Sequence, residues 1–191
     1  MALPAADEVL DFWFGPPPRE AARPEWFRKD PAFDEAIRQR FGARIDEALA
    51  GGLRAWDATP SGAVARIVVL DQFTRNCFRG DAKSFAGDPL ALAAAQHMVG
   101  RGDDLRVNGT LRRFIYLPFE HAEDMAMQRE SLRLFAALSA SDAKLADLEM
   151  WAKKHEVIVT RFGRFPHRNA VLGRESTAEE TAFLKEPGSS F

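Results

Sequence analysis

The stretch DPAFDEAIRQRFGARIDEALAGG, residues 30–52, decides the fold class. Phe33, Ile37, Phe41, Ile45 and Leu49 recur every four residues, which puts them on one face of an α-helix. Asp30-Pro31 is a helix start: a carboxylate able to accept free N–H groups, then a residue that has no N–H to satisfy. Gly51-Gly52 is the matching stop.

The same punctuation repeats outward from this helix. Ala5–Phe14 carries Val9, Leu10, Trp13 and Phe14 at helical spacing and ends at Gly15 and Pro16–Pro18. Ser61 can cap a third helix bearing Val64, Ile67 and Val68 and running toward Phe73. Asp88-Pro89 opens a fourth, with Leu92, Ala95 and Val99 inward and Gly100 closing it. Leu111–Leu117 reads as a short helix stopped by Pro118. Another runs from about Phe119 to Leu138, and Asp142 begins the next, which carries Leu145, Leu148, His155, Ile158 and Phe162. Thr177-Ala-Glu-Glu180 is a capping box for a small final helix. Ala65–Leu70 and Val157–Thr160 are short and β-branched enough for buried strands, but each lies inside a longer helical period. The expectation is an all-α chain of about eight helices, one domain over residues 1–191 with a loose tail at 186–191.

Composition narrows the function classes. The 191 residues are 46% hydrophobic, enough for a packed core. Lys and Arg number 26 against 28 Asp and Glu, a balance that argues against broad nucleic-acid binding. A single cysteine, Cys77, excludes an intrachain disulfide and suits a reducing cytoplasm. The opening MALPAADEVLDFWFG has no basic segment ahead of an apolar one, so no signal peptide is expected. No apolar run approaches the roughly 18 residues of a membrane span.

Three polar stretches could carry chemistry. In the first, Asp71, Arg75 and Arg79 are spaced by four, with Asn76 beside them. This is either an Arg/Asn face for an anion or a helix end whose arginines answer the dipole. The second, Glu120-His121-Ala-Glu123-Asp124, puts Glu120 and Asp124 on one helix face and His121 three residues from Asp124. A histidine held by a carboxylate suits a general base; an acidic first turn with a core histidine is the structural alternative. A dinuclear carboxylate bundle would need two Glu-x-x-His pairs, and the chain has none. No metal and no cofactor are therefore expected. The third runs from Arg161 to Asn169. Gly163 and Pro166 make it a loop carrying Arg164, His167, Arg168 and Asn169, either a carboxylate or phosphate site or a clasp that neutralises the acids of the second stretch. His155, on an apolar helix face, reads as a core histidine. Glycine-rich nucleotide loops, H-E-x-x-H and G-x-S-x-G are absent.

At these residues the chain resembles a known family. DFWFG, RIVVLDQFTRNCFRG, SFAGDPLAL, FIYLPFEHAED and RFGRFPHRNAVLGRES, in this order from about Asp11 to Leu184, resemble the bacterial domain-of-unknown-function 924 family. Thr74 and Cys77 stand where the family's usual wording has Pro and Ile. The resemblance implies a tetratricopeptide-repeat-like array of antiparallel helix pairs and brings no established activity. Such an array leaves a concave face. The three polar stretches are expected to meet there, with Asp71, Glu120, Glu123 and Asp124 pairing Arg75, Arg79, Arg161, Arg164 and Arg168. The leading expectation is a binding module for a peptide or small anionic ligand, without nucleic-acid or membrane partners. A metal-independent hydrolase or transferase using His121 or His167 is the alternative, and a purely structural cluster is the third reading.

Overall fold

The computed structural model describes residues 5–190. Among them are eight helices and no strand: α1 (Ala5–Phe14), α2 (Pro31–Leu49), α3 (60–77), α4 (Asp88–Arg101), α5 (Gly109–Glu120), α6 (Met125–Ser141), α7 (Leu148–Phe162) and α8 (Ala178–Phe183), joined by short 3-10 turns. None is long and apolar enough to cross a membrane. The described residues gather into two compact units, one of 5–79 with 83–118, the other of 80–82 with 119–190. Of the tail expected to be loose, Phe191 lies outside the described residues. Within that tail Ser189 is buried and donates to the Leu184 carbonyl.

In the first unit, α2 begins as its sequence requires. Asp30 Oδ1 accepts from the N–H groups of Ala32 and Phe33, both at 3.1 Å. Ile37, Phe41 and Ile45 are buried. The middle of the unit is α3, in which Ala63 to Thr74 is buried without a break. A helix covered on every side has no polar face, which is why Ala65–Leu70 looked equally like a buried strand. Its cap is Thr59, not Ser61: the Thr59 hydroxyl accepts from Gly62 N at 3.1 Å and Pro60 takes the first helical position. Within α3, Val68–Phe73 winds as a π-helix. Around it lies a ring cluster in which Trp13 meets Trp26, Phe33, Phe73 and Phe114 at centroid separations of 5.6 to 6.4 Å.

Two further boundaries differ from expectation. α5 runs through Pro118, which forfeits a single N–H donor near the helix end, and α4 closes on the left-handed Gly102 rather than Gly100. The helix expected from Phe119 to Leu138 is broken at 121–124. Asp124 faces α6 as its N-cap and accepts from Ala126 N and Met127 N at 2.8 and 3.0 Å. Glu120 and Asp124 therefore do not share a helix face. In the second unit α6 and α7 fold back on each other through the Asp142–Leu145 turn. Ile158, Val159 and Phe165 form a small core with Met125, Phe162 and Phe183 packed on it. The Thr177–Glu180 capping box is present as the sequence indicates.

One close approach in the first unit is testable. A Cβ on Gly87 would stand 2.0 Å from the Leu70 carbonyl oxygen, whereas one on Gly100 meets nothing within 4 Å. Gly87→Ala should therefore lower stability by about 1–3 kcal/mol in urea unfolding. Gly100→Ala, on an exposed helix position, should be neutral or raise it by about 0.5–1 kcal/mol. Equal effects of the two would contradict this packing.

Candidate functional site

The first polar stretch is satisfied inside its own unit. Arg75 donates to both oxygens of Asp88, at 2.8 and 3.0 Å, and also reaches the fully buried Asp71 at 2.9 Å. Arg79 grips Asp34 through two nitrogens at 2.7 and 3.2 Å, and Asn76 donates to the same carboxylate at 2.6 Å. Asp88 and Asp34 are partners that sequence reasoning missed. The buried members are the acids Asp71 and Asp34, and a buried carboxylate persists only when paired. These pairings make the face a brace between α2, α3 and α4. Burial pushes the neighbouring Cys77 thiol up to about 11, so it is not a nucleophile at neutral pH.

The second and third stretches come together in the second unit. Glu123 joins them: its carboxylate accepts from two Arg174 nitrogens at 2.6 and 2.9 Å and from the Phe165 N–H at 2.7 Å. Burial alone would raise the Glu123 carboxyl, but these donors hold it below its ordinary value. Arg174 also donates to the Phe165 carbonyl and to Asn169, whose amide in turn reaches Ser176. Arg168 donates to the His121 carbonyl at 2.9 Å and lies 4.7 Å over the Phe165 ring. Arg174 was not among the sequence candidates.

Arg161 and Arg164 face elsewhere. Arg161 pairs with Glu179 at 2.8 Å, and Arg164 forms a bidentate pair with Glu180 at 2.7 and 2.8 Å. The expected pairing with the acids of the second stretch is thus corrected for both: their carboxylates come from the capped turn of α8, which lies nearer along the chain. Asp124 is spent as a cap.

What the loop assembles is a histidine cluster. Of the chain's four histidines, two meet Phe165 and a third meets one of those two. His155 meets the Phe165 ring edge-on at 5.7 Å, His167 lies 5.7 Å from that ring, and His121 is 6.1 Å from His155. Glu120, 4% exposed at the end of α5, stands 3.3 Å from His155 Nδ1. His155 donates from Nδ1 to the Trp151 carbonyl at 2.9 Å, because a carbonyl can only accept. Burial, then the neighbouring His121, holds His155 at about 3, so the ring is neutral at pH 7. One ligand atom from each of Glu120, His121 and His155 lies within 4.8 Å of the others. His155 is the core histidine the helix pattern indicates. Its place beside Glu120 and His121 follows from the α6–α7 hairpin and leaves no mark in local spacing.

These residues fall within a matched family region. The family model described as "Bacterial protein of unknown function (DUF924)" matches residues 9–188. The chain belongs to this family. A solved structure, "Structure of Protein of Unknown Function ATU0120 from Agrobacterium tumefaciens", is 41% identical with a TM-score of 0.82, covering 94% of this chain and 96% of that one. No curated protein matches the chain. Neither similarity assigns an activity, so the side-chain geometry carries the functional reading.

The Arg164–Glu180 pair gives a pH prediction. The Arg164 hydrogen bonds hold the Glu180 carboxyl at about 2, below its ordinary 4.5. The unfolded chain binds this proton first as pH falls. The stabilisation is therefore full above about pH 4.5 and lost as pH falls toward about 2. In urea unfolding, the advantage of the native protein over Glu180→Gln should shrink steadily through that window. An advantage independent of pH would contradict the assignment.

Proposed function

We propose that the chain is a helical binding module whose ligand site is the cluster of Glu120, His121, His155, His167 and Arg168 around Phe165, and that it takes a small anionic ligand. The observation that carries this is the meeting of His155 and His167 on the buried Phe165 ring, with His121 against His155 and the buried Arg168 over the same ring. Imidazole and guanidinium together suit carboxylate and phosphate oxygens. The tetratricopeptide-like pairing implied by the family resemblance is supported, within the second unit, by the α6–α7 hairpin that delivers His155.

A peptide is the less favoured ligand. Trp26 is buried rather than standing at a rim, and the 59% exposed Phe27 is covered on one face by Arg113 at 4.3 Å. Binding is also favoured over proton transfer. The cluster does contain a histidine–carboxylate pair, Glu120 with His155. However, that imidazole is buried, and its Nδ1 proton is already directed at a backbone carbonyl.

Isothermal titration with inorganic phosphate and with citrate tests the proposal. Saturable one-to-one binding of at least one of them is expected, weakened about tenfold or more in His167→Gln, the loss of one charge-assisted hydrogen bond. The histidine at position 97, exposed on α4 in the other unit, is the control: His97→Gln should bind normally. Binding indifferent to His167, or no saturable binding of either anion, would overturn the reading.

A further inference from the structure

We infer that Glu120, His121 and His155 form a binding site for a divalent transition-metal ion, zinc above all. The inference deepens the proposed function, because it rests on the same cluster being the ligand site.

The donor set is the first argument. A carboxylate and two imidazoles present one ligand atom each within 4.8 Å of one another. Bonds to zinc of about 2.0–2.2 Å place such donors roughly 3–4 Å apart, so small side-chain rotations close the set around an ion. Imidazole nitrogen favours zinc and its first-row neighbours over calcium or magnesium, which take oxygen.

The support around the donors is the second. A metal-binding histidine characteristically gives its other N–H to a backbone carbonyl or carboxylate, which fixes the tautomer and aims the free nitrogen. His155 Nδ1 makes such a bond to the Trp151 carbonyl at 2.9 Å, and the same nitrogen lies 3.3 Å from Glu120, so the ring is held against the carboxylate. The backbone bearing the other two donors is fixed as well. The Gln128 amide donates at 2.7 Å to the carbonyls of both Glu120 and Ala122, and Arg168 donates at 2.9 Å to that of His121. Glu120 and His155 are buried at 4% and 6% exposure, and His121 lies at the accessible side. An ion could thus enter past His121 and exclude water from the other two donors.

The third argument is charge. Three protein ligands leave a tetrahedral ion one open position. The dipositive ion with one carboxylate carries a net positive charge of one. That charge offsets the repulsion Glu120 would exert on an anion held by His167 and Arg168. The metal therefore supplies what an anion site beside a buried carboxylate otherwise lacks.

The test uses the full chain after dialysis against a chelator, with zinc chloride as titrant in calorimetry and cobalt(II) as a spectroscopic substitute. One zinc per chain is expected, with a tetrahedral cobalt absorption band that zinc displaces. Magnesium should not compete. Glu120→Gln and His121→Ala should each weaken zinc about 100-fold or more, beyond the 10–100-fold cost of losing an outer partner. His97→Ala should leave binding unchanged. His121, in a partly exposed turn, keeps the test decisive if the buried positions fail to fold when changed. Absence of one-to-one zinc binding, or binding unchanged in both ligand variants, overturns the inference. Phosphate titrated with and without zinc separates the two readings. Phosphate binding by chelator-treated protein that takes no zinc upholds the anion site and rejects the metal. Zinc binding dependent on His121 without any anion binding upholds the metal and rejects the anion site.

Discussion

The Glu123 carboxylate is the joint on which the candidate site depends. It lies in the four-residue break between α5 and α6 and accepts from both terminal nitrogens of Arg174 and from the Phe165 N–H. These bonds tie a loop centred on residue 165 to a turn more than forty residues earlier. The tie is what sets Phe165 between His155 and His167 and brings Arg168 to the His121 carbonyl. A half-buried carboxylate with three charge-assisted or backbone donors is over-determined, so the loop is held by geometry as well as by charge. Removing one partner would leave the other's hydrogen-bonding groups unsatisfied, at a cost of about 1–3 kcal/mol.

The same rule explains how the arginine-rich first stretch is held. Asp71 is fully buried, and Arg75 follows at the edge of the stretch of α3 that is buried on every side. There a charge is tolerated only with its counter-charge in contact. Asp88 at the start of α4 and Asp34 in the first turn of α2 provide that contact, so the arginines stitch three helices together. The histidine cluster differs in kind. Its rings pack on one another and on Phe165, with Glu120 and Arg168 as its charged members.

Much of the architecture was legible in local sequence. The Asp30-Pro31 and Thr177–Glu180 signals became caps with the donors and acceptors that the residue types imply. Helix class survived even where β-branched residues clustered, because the period extended beyond the cluster. What was hidden was partnership at a distance. Asp34 and Arg79 are separated by 45 positions, and Glu123 and Arg174 by 51, and no spacing rule connects them. The break at 121–124 was hidden too, since Pro118 looked like the stop. The proline costs only one donor, while Asp124 makes a new cap worth about 1 kcal/mol. His155 was seen as a core residue and is one. Its second role requires knowing which helix end faces it.

The most direct test of the central claim, that Glu123 organises one shared histidine site, is to record the imidazole NMR signals of the full chain and of Glu123→Gln. The chain has four histidines, so each can be followed separately. The signals of His121, His155 and His167 should all shift in the variant while His97 stays in place. A variant that leaves those three signals where they were, or that moves His97 as much as the others, would contradict the account.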